Sequence, residues 1–151
     1  MRLEYRRAIK NDADLLISIY NSAFYNDYIR YGECPAYGRS REKMQESIAM
    51  VTKYIVRCDD IPVGVISFEN KGNGNYYLGC LCIIPAYQGK GLGTLAFQYM
   101  LSVCSDWSKI TLVTPSDKDE NIKFYTEKCG FHIGNKEMDG NVEVLNFYME
   151  R

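Results

Sequence analysis

Hydrophobic residues recur along this chain with two periods, and the change from one period to the other predicts its strands and helices. Apolar or alternating runs predict strands at residues 2–8, 53–58, 61–68, 76–84 and 109–114. Apolar residues three to four positions apart predict three amphipathic helices. Their inner faces are Leu15, Leu16, Ile19, Tyr20, Ala23 and Phe24; Met44, Ile48 and Val51; and Leu92, Leu95, Ala96, Tyr99, Met100 and Val103.

Capping residues predict where the first two helices begin. Asn11, Asp12 and Asp14 supply the cap and first-turn acids of the first helix, and Ser40 caps the second. Residues 26–39 contain glycine, proline and several aromatic residues without a clear period. We therefore predict a structured loop over that range.

The last third of the chain predicts one more helix and a closing hairpin. Ser116 or Asp117 is the expected cap of a fourth helix that runs to about Lys128, where Gly130 ends it. Two strand-like runs then flank a turn at residues 139–140.

The predicted order of elements is β-α-α-β-β-β-α-β-α-β-β, without a long linker or an internal repeat. This order predicts an α/β fold with a mainly antiparallel sheet and a parallel β-α-β unit at its centre. A chain of 151 residues has the length of one domain, so we expect a single domain over residues 1–151.

Composition narrows the classes of partner. Eighteen basic and nineteen acidic side chains leave a formal net charge of −1, which favours neither nucleic acid nor a membrane surface as a partner. No apolar run approaches the roughly 18 residues of a membrane helix, and the N-terminus lacks an apolar signal segment, so we expect a cytoplasmic protein. Its six scattered cysteines are then expected to be reduced. Cys80 and Cys82 have no second pair at ligand spacing and His132 is the single histidine, so we expect no metal site.

The segment IPAYQGKGLGT at residues 84–94 carries three glycines between a predicted strand and a predicted helix. Such a turn presents backbone N–H groups at a helix N-terminus, where the helix dipole favours an anion. Glycine lets phosphate oxygens approach these amides without a Cβ in the way. The spacing Gly89-x-Gly91-x-Gly93 differs from the dinucleotide fingerprint, and the P-loop requires a glycine five positions before Gly89, which is absent.

The segment does match the pattern Q-x-x-G-x-G, here residues 88–93. A second block, NIKFYTEKCGF at residues 121–131, follows downstream. Together the two blocks resemble the GNAT superfamily of N-acetyltransferases, and the predicted element order fits that family over essentially the whole chain. The resemblance implies a three-layer α-β-α fold with a central β-α-β coenzyme-A site, and acetyl-CoA as the co-substrate.

The resemblance also implies which residues hold the co-substrate. In that family the strand before the loop binds the pantetheine arm through its main chain, and the loop binds the pyrophosphate. The implied residues are Leu81, Cys82 and Ile83 for the arm; Gln88, Gly89, Lys90, Gly91, Leu92, Gly93 and Thr94 for the pyrophosphate; and Asn121 and Phe124 on the later helix. The strand side chains suit core packing as well, since the contacts are made by the backbone.

Tyr125 is the residue to which the resemblance assigns the role of general acid toward the departing thiolate. A phenol with a pKa near 10 is less acidic than a thiol near 8.5, so full proton transfer is uphill by about 2 kcal/mol. A hydrogen bond to the developing charge on sulfur would assist without full transfer. The alternative is that Tyr125 only packs its helix.

A general base is harder to assign. An amine with a pKa near 10.4 costs about 4.6 kcal/mol to deprotonate at pH 7, so a base acting through water would help. Some family members carry a glutamate on the strand before the loop, but YYLGCLCII at 76–84 has no acid. Glu69, at the end of the preceding strand, is the first candidate base, and its alternative is a solvated turn residue. Glu33, in the segment 26–39, is a second candidate.

Aromatic and acidic residues of the segment 26–39 predict the acceptor site, because in this family that region covers the acceptor. The candidates are Tyr28, Tyr31, Glu33 and Tyr37, which suit a small cationic amine through cation–π and charge pairing, or simply pack the loop. We thus expect direct acetyl transfer from acetyl-CoA to a primary amine, on a small molecule or a peptide, in a ternary complex. The alternative is a non-catalytic coenzyme-A sensor or interaction module, and the closing hairpin is a candidate homodimer edge.

Overall fold

Seven strands and four α-helices make up the computed structural model, which describes residues 1–151. The strands are β1 (Leu3–Arg7), β2 (Thr52–Cys58), β3 (Ile61–Gly72), β4 (Asn75–Ile83), β5 (Lys109–Pro115), β6 (His132–Asp139) and β7 (Val142–Glu150). The helices are α1 (Ala13–Tyr31), α2 (Arg41–Met50), α3 (Leu92–Val103) and α4 (Asp119–Lys123). Short 3-10 turns lie at Lys10–Asp12 and Pro85–Tyr87, and a π-helical turn, here called the π-turn, follows α4 at Phe124–Cys129.

The strands form one mixed sheet in the order β1-β2-β3-β4-β5-β7-β6. The pairs β1/β2, β2/β3, β5/β7 and β6/β7 are antiparallel, whereas β4 and β5 are parallel. A parallel pair needs a crossover connection, and α3 lies between β4 and β5 in the chain. The predicted element order, and the mainly antiparallel sheet with its central parallel β-α-β unit, are confirmed.

Two tight turns join β2 to β3 and β3 to β4. Asp59 and Asp60 have φ of 50° and 69°, and Asn73 and Gly74 have φ of 55° and 78°. Positive φ at both central residues is the geometry of two-residue hairpin turns whose twist matches the strands, and Asp, Asn and Gly tolerate it best. Both turns lie between strand-like runs of the sequence, the first between 53–58 and 61–68 and the second between 61–68 and 76–84.

The first helix is longer than the sequence indicates, and the prediction of a loop beginning at residue 26 is wrong. α1 continues to Tyr31 and ends where Gly32 adopts φ 74° and donates its N–H to the Tyr28 carbonyl at 2.9 Å. No glycine or proline interrupts residues 26–31, so aromatic side chains alone did not end the helix. Tyr28 and Tyr31 therefore lie on the last turns of α1.

The predicted cap of the fourth helix is also wrong. Lys118 is the N-cap of α4, and the Ser116 hydroxyl instead donates to the Glu143 carboxylate at 2.6 Å. α4 is short and passes into the π-turn, which ends at Gly130 with φ 89°. The predicted end at Gly130 is confirmed, because a left-handed residue there suits glycine.

The chain divides into two compact units, of which the first comprises Met1–Phe68 and Cys80–Ala96. Apolar side chains fill both faces of its strands. One cluster joins α1 and α2 to the sheet through Leu16, Ile19, Tyr20, Met44, Ile55, Val65 and Cys82. The other joins α3 to the opposite face through Val56, Val63, Ile83, Leu92 and Ala96. Neighbours such as Ile55 and Val56 thus point to opposite helical layers, as the pleat of a strand requires.

The second unit comprises Glu69–Gly79 and Phe97–Arg151. Four aromatic rings pack together in its core. Between ring centroids, Phe97 lies 5.4 Å from Phe131, and Tyr125 lies 5.8 Å from Phe131 and 6.0 Å from Phe147. All six cysteines of the chain are free thiols. None of its helices combines the length and the apolar character needed to cross a membrane.

Candidate active site

The glycine segment lies in the first unit and leads from the 3-10 turn after β4 into α3. Gly89 and Gly91 have φ of 77° and 79°, in the left-handed region that glycine adopts without strain. A Cβ built at either position would meet no atom within 4 Å, so the space above this backbone is open. Leu92 is 1% exposed and holds the start of α3 in the core, so its side chain is committed to packing. The first amides of α3 have no partner within the helix and are available to an anion.

Gln88 has a structural partner of its own. Its side-chain amide Nε2 donates to the Ile83 carbonyl at 2.8 Å, which ties the glycine segment to the end of β4. This bond positions the loop and occupies one donor of a side chain that the resemblance places at the pyrophosphate. Lys90, by contrast, is exposed and available to a phosphate.

The last residues of β4 present main chain rather than side chains. Cys82 and Ile83 are 6% and 9% exposed and belong to the two apolar clusters on opposite faces, while Leu81 is half-buried. Parallel pairing with β5 runs from Asn75↔Lys109 to Tyr77↔Thr111, which is three of the nine residues of β4. The end of the strand thus lies beyond this ladder, and its backbone groups can pair with an extended ligand.

Gly64 of β3 supports the end of β4 and was missed by sequence reasoning. A Cβ at this position would collide with the Cys82 carbonyl and come within 2.6 Å of Ile83 Cδ1. The signal was present, because an isolated glycine inside a strand pattern often marks a close backbone approach.

Tyr125 lies in the second unit, near the start of the π-turn. It is 8% exposed, and its ring contacts Phe124 edge-on at 5.1 Å in addition to Phe131 and Phe147. Its carbonyl accepts the Phe131 N–H at 2.9 Å. These contacts hold the phenol in one orientation, and π-helical turns are frequent at functional sites.

Asn121 precedes Tyr125 by one helical turn. Its Nδ2 donates to the Thr114 hydroxyl at 2.9 Å, and Thr114 is 3% exposed. The side chain is thereby anchored to β5, with its carbonyl oxygen left for a donor. Phe124 is half-buried beside Tyr125.

Glu69 stands near the end of β3 and pairs with Lys71, whose Nζ lies 3.0 Å from Oε2. Tyr77, in the same unit, is half-buried, and burial raises the pKa of its phenol, with the carboxylates of Asp139, Glu69 and Glu137 adding to the shift. Glu69 is thus one of three carboxylates that act electrostatically on this tyrosine.

Two of the four predicted acceptor residues meet, and a third tyrosine joins them. Tyr28 and Tyr37 stack with centroids 4.6 Å apart and planes 15° apart, and Tyr25 lies 6.0 Å from Tyr37. Tyr25 and Tyr28 are 51% and 41% exposed, so the cluster is open to a ligand. Tyr31 instead carries the Arg30 guanidinium over its ring at 5.1 Å, and Glu33 is exposed.

The family comparison agrees with this fold and with these motifs. Residues 15–131 match the acetyltransferase (GNAT) family, so the chain belongs to that family of acetyltransferases. The prediction drawn from the two sequence blocks is confirmed. A curated relative, the uncharacterized protein YrkN of Bacillus subtilis (strain 168), is 27% identical over 108 residues. That match covers 68% of this chain but only 58% of the relative's length.

Solved structures reproduce the fold across the whole chain. PaiA N-acetyltransferase from Thermoplasma acidophilum, in complex with coenzyme A, has a TM-score of 0.79 at 19% identity and covers 97% of this chain and 98% of its own. A chimera of spermidine N-acetyltransferase SpeG from Vibrio cholerae and hSSAT has a TM-score of 0.78 at 18% identity. The match covers 99% of this chain and 96% of the chimera. At these identities the likeness shows the fold alone.

Proposed function

We propose that this protein transfers an acetyl group from acetyl-CoA to a primary amine, by direct transfer in a ternary complex. The observation that carries the proposal is the open, left-handed glycine segment at Gly89 and Gly91, followed immediately by the N-terminus of α3. A coenzyme-A pyrophosphate would accept hydrogen bonds from the amides of this segment, with Lys90 and Thr94 adding a charge and a hydroxyl.

The end of β4 would hold the pantetheine arm. Leu81, Cys82 and Ile83 would pair with it through main-chain groups, as a ligand strand laid beside a sheet edge. The coenzyme A bound to PaiA, a protein of the same fold, supports coenzyme A as the ligand. Asn121 and Phe124 would contact the co-substrate from the later helix.

The chemistry requires a neutral amine and assistance to the leaving thiolate. The amine nitrogen attacks the thioester carbonyl, the N–C bond forms, and the S–C bond breaks. Tyr125 would donate a hydrogen bond or its proton to the departing sulfur, and Glu69 would accept the amine proton through water. Because Glu69 pairs with Lys71 at 3.0 Å, that ion pair would have to open for Glu69 to serve as a base.

The acceptor would be an amine whose ammonium form is recognised by the stacked tyrosines. Tyr28 is 41% exposed and stacks on the half-buried Tyr37, and an exposed tyrosine face attracts a cation by about 0.5–2 kcal/mol. Spermidine, the amine named for the SpeG chimera, is a small molecule of this class. Peptide amines remain within the proposal as the second acceptor class.

A non-catalytic coenzyme-A sensor is the second candidate function. It is favoured by one observation, the absence of an acidic side chain along Asn75–Ile83. A thermal-shift titration with acetyl-CoA followed by a thiol-release assay over a panel of amines separates the candidates. Stabilisation with thiol release supports the acetyltransferase, stabilisation without release for any amine supports the sensor, and the absence of both overturns the proposed co-substrate.

A further inference from the structure

The first unit contains a second polar cluster that the proposed chemistry does not use. Lys53 of β2 is 3% exposed, and its Nζ donates to the Tyr20 hydroxyl at 2.9 Å and to the Ser67 hydroxyl at 3.1 Å. Tyr20 and Ser67 are themselves 1% and 3% exposed. A buried ammonium normally has a carboxylate partner, but both of these partners are neutral hydroxyls.

A second cation converges on the same ring. The Arg39 guanidinium lies 5.4 Å from the centroid of Tyr20, and Lys53 Nζ lies 5.3 Å from it. Arg39 Nε donates to the Pro35 carbonyl at 3.0 Å and Nη1 to the Ser47 hydroxyl at 3.3 Å. These bonds fix the guanidinium without neutralising it, and they leave Nη2 for a ligand.

The cluster holds more positive charge than its surroundings compensate. Burial, with a smaller effect of Arg39, lowers the pKa of Lys53 to about 8, and Cys80 and Cys82 partly oppose the shift. No carboxylate contributes to this balance. An anion that entered the cluster would therefore gain from both cations in a region of low dielectric constant.

The position of the cluster connects it with the proposed acceptor site. Arg39 follows Tyr37 by two residues, in the connection between α1 and α2, and the Gly38 N–H bonds Asn21 Oδ1 of α1 at 2.8 Å. Cys80, which is half-buried and influences the pKa of Lys53, directly precedes the proposed arm-binding residues of β4. Arg39 is half-buried whereas Lys53 is 3% exposed, so of the two cations Arg39 is the one that an incoming ligand reaches from solvent.

We propose that the acceptor carries a carboxylate as well as its amine, and that Arg39 and Lys53 bind this carboxylate. The inference rests on the proposed acetyltransferase function and names its substrate class, amino-acid-like amines. The planar guanidinium fork matches the two oxygens of a carboxylate, and the stacked tyrosines would receive the ammonium end.

Paired acceptors test the proposal in the full chain. Amino acids and the amines that differ from them only by loss of the carboxylate are compared by thiol release. The carboxylated member is expected to have at least a tenfold higher kcat/KM. Arg39→Gln is expected to raise KM for the carboxylated member at least tenfold while leaving the decarboxylated member within about twofold, and Arg39→Lys should restore part of the loss.

A matched control uses a nearby arginine outside the cluster. Arg41 is exposed and pairs with Asp14 at 3.5 Å, so Arg41→Gln makes the same charge change two residues away. Arg41→Gln should leave KM and kcat/KM unchanged for both members of each acceptor pair. Equal turnover of the paired acceptors, or an equal loss for both in Arg39→Gln, overturns the carboxylate site.

A binding measurement keeps the inference testable without turnover. Propanoate, hexanoate and 3-phenylpropanoate are compared with their neutral primary amides by thermal shift. At least one carboxylate is expected to stabilise the wild-type protein more than its amide, and Arg39→Gln should abolish the difference. No difference for any pair overturns the inference even in an active enzyme. A difference in a protein that acetylates no amine keeps the carboxylate site and overturns the proposed function.

Discussion

Lys53 is a buried cation of the first unit, and the Tyr20 that it contacts belongs to the apolar cluster beneath α1 and α2. Its two hydroxyl partners satisfy hydrogen bonds without supplying charge, so burial is the largest influence on its protonation. At the residue scale, stability is therefore given up to keep this cation in place.

The pH dependence of stability gives a direct test of this cation. Above pH 8 folded Lys53 loses its proton while the unfolded chain keeps it up to about 10.5, so the unfolded state binds more protons and stability rises with pH. Compared with Lys53→Met, the wild type should gain about 2 kcal/mol in the free energy of unfolding between pH 7.5 and 9.5. Urea denaturation at both pH values measures this. The difference in the free energy of unfolding between wild type and Lys53→Met should not change with pH below pH 7. A difference that stays constant up to pH 9.5 would contradict the lowered pKa.

Tyr125 is the residue on which the proposed chemistry depends most. Tyr125→Phe keeps the ring contacts with Phe124, Phe131 and Phe147 and removes only the hydroxyl. We expect kcat to fall about 10- to 100-fold, while the Kd for acetyl-CoA stays within about twofold. The exposed Tyr148, changed to Phe, is the matched control. An unchanged kcat with chemistry rate-limiting would remove Tyr125 from the acid role.

The glycine segment shows how an element creates a site from backbone alone. Its two left-handed residues place amides ahead of α3, and no side chain shields them. The end of β4 acts in the same manner, because its side chains are committed to the core clusters. At the element scale, function resides in conformation more than in residue identity.

Substitution of one glycine separates conformation from binding. Gly91→Ala forces a residue with a Cβ into φ 79°, which should cost about 1–2 kcal/mol and displace the loop amides. Gly72 has φ 90° and an equally open Cβ site in a hairpin, so Gly72→Ala should cost the same stability. KM for acetyl-CoA should rise at least tenfold in Gly91→Ala only. Equal KM values in both variants would exclude a role of the segment in binding.

Gly64 tests the support of β4. Gly64→Ala places a methyl group against the Cys82 carbonyl and Ile83 Cδ1, which should lower the free energy of unfolding by about 1–3 kcal/mol. Because the collision displaces the proposed arm-binding backbone, KM for acetyl-CoA should rise as well. Denaturation and steady-state kinetics measure the two effects, and a stable variant with an unchanged KM would contradict the assignment.

At the scale of the whole molecule, ligand binding is linked to the stability of the native state. Each compact unit has its own core, and the glycine segment belongs to the first. A ligand that binds only the native state stabilises it by mass action, about 2.7 kcal/mol at a concentration one hundred times its Kd. Acetyl-CoA at that excess should raise the free energy of unfolding of the wild type by this amount, and of Gly91→Ala at the same concentration by much less. Urea titration checks both values.

Much of the fold follows from local sequence signals. The alternating strand runs and the helical runs with apolar residues three to four positions apart depend on residues close together in the chain. The same holds for the Ser40 cap and the Gly130 terminator, so each can be recognised without tertiary contacts. Local signals failed for the end of α1 and the start of α4. The first lacked a breaker until Gly32, and at the second the Ser116 hydroxyl found Glu143, 27 residues away.

The sequence alone therefore determined the element order, the glycine loop between a strand and a helix, and the family, because these depend on neighbouring residues and their spacing. The tertiary structure decided which distant groups meet. Lys53 reaches Tyr20 across 33 residues and Ser67 across 14, and Arg39 joins them only because α1 and α2 pack on the same face of the sheet. Packing of apolar faces brings such charges together, and no local pattern encodes their distance.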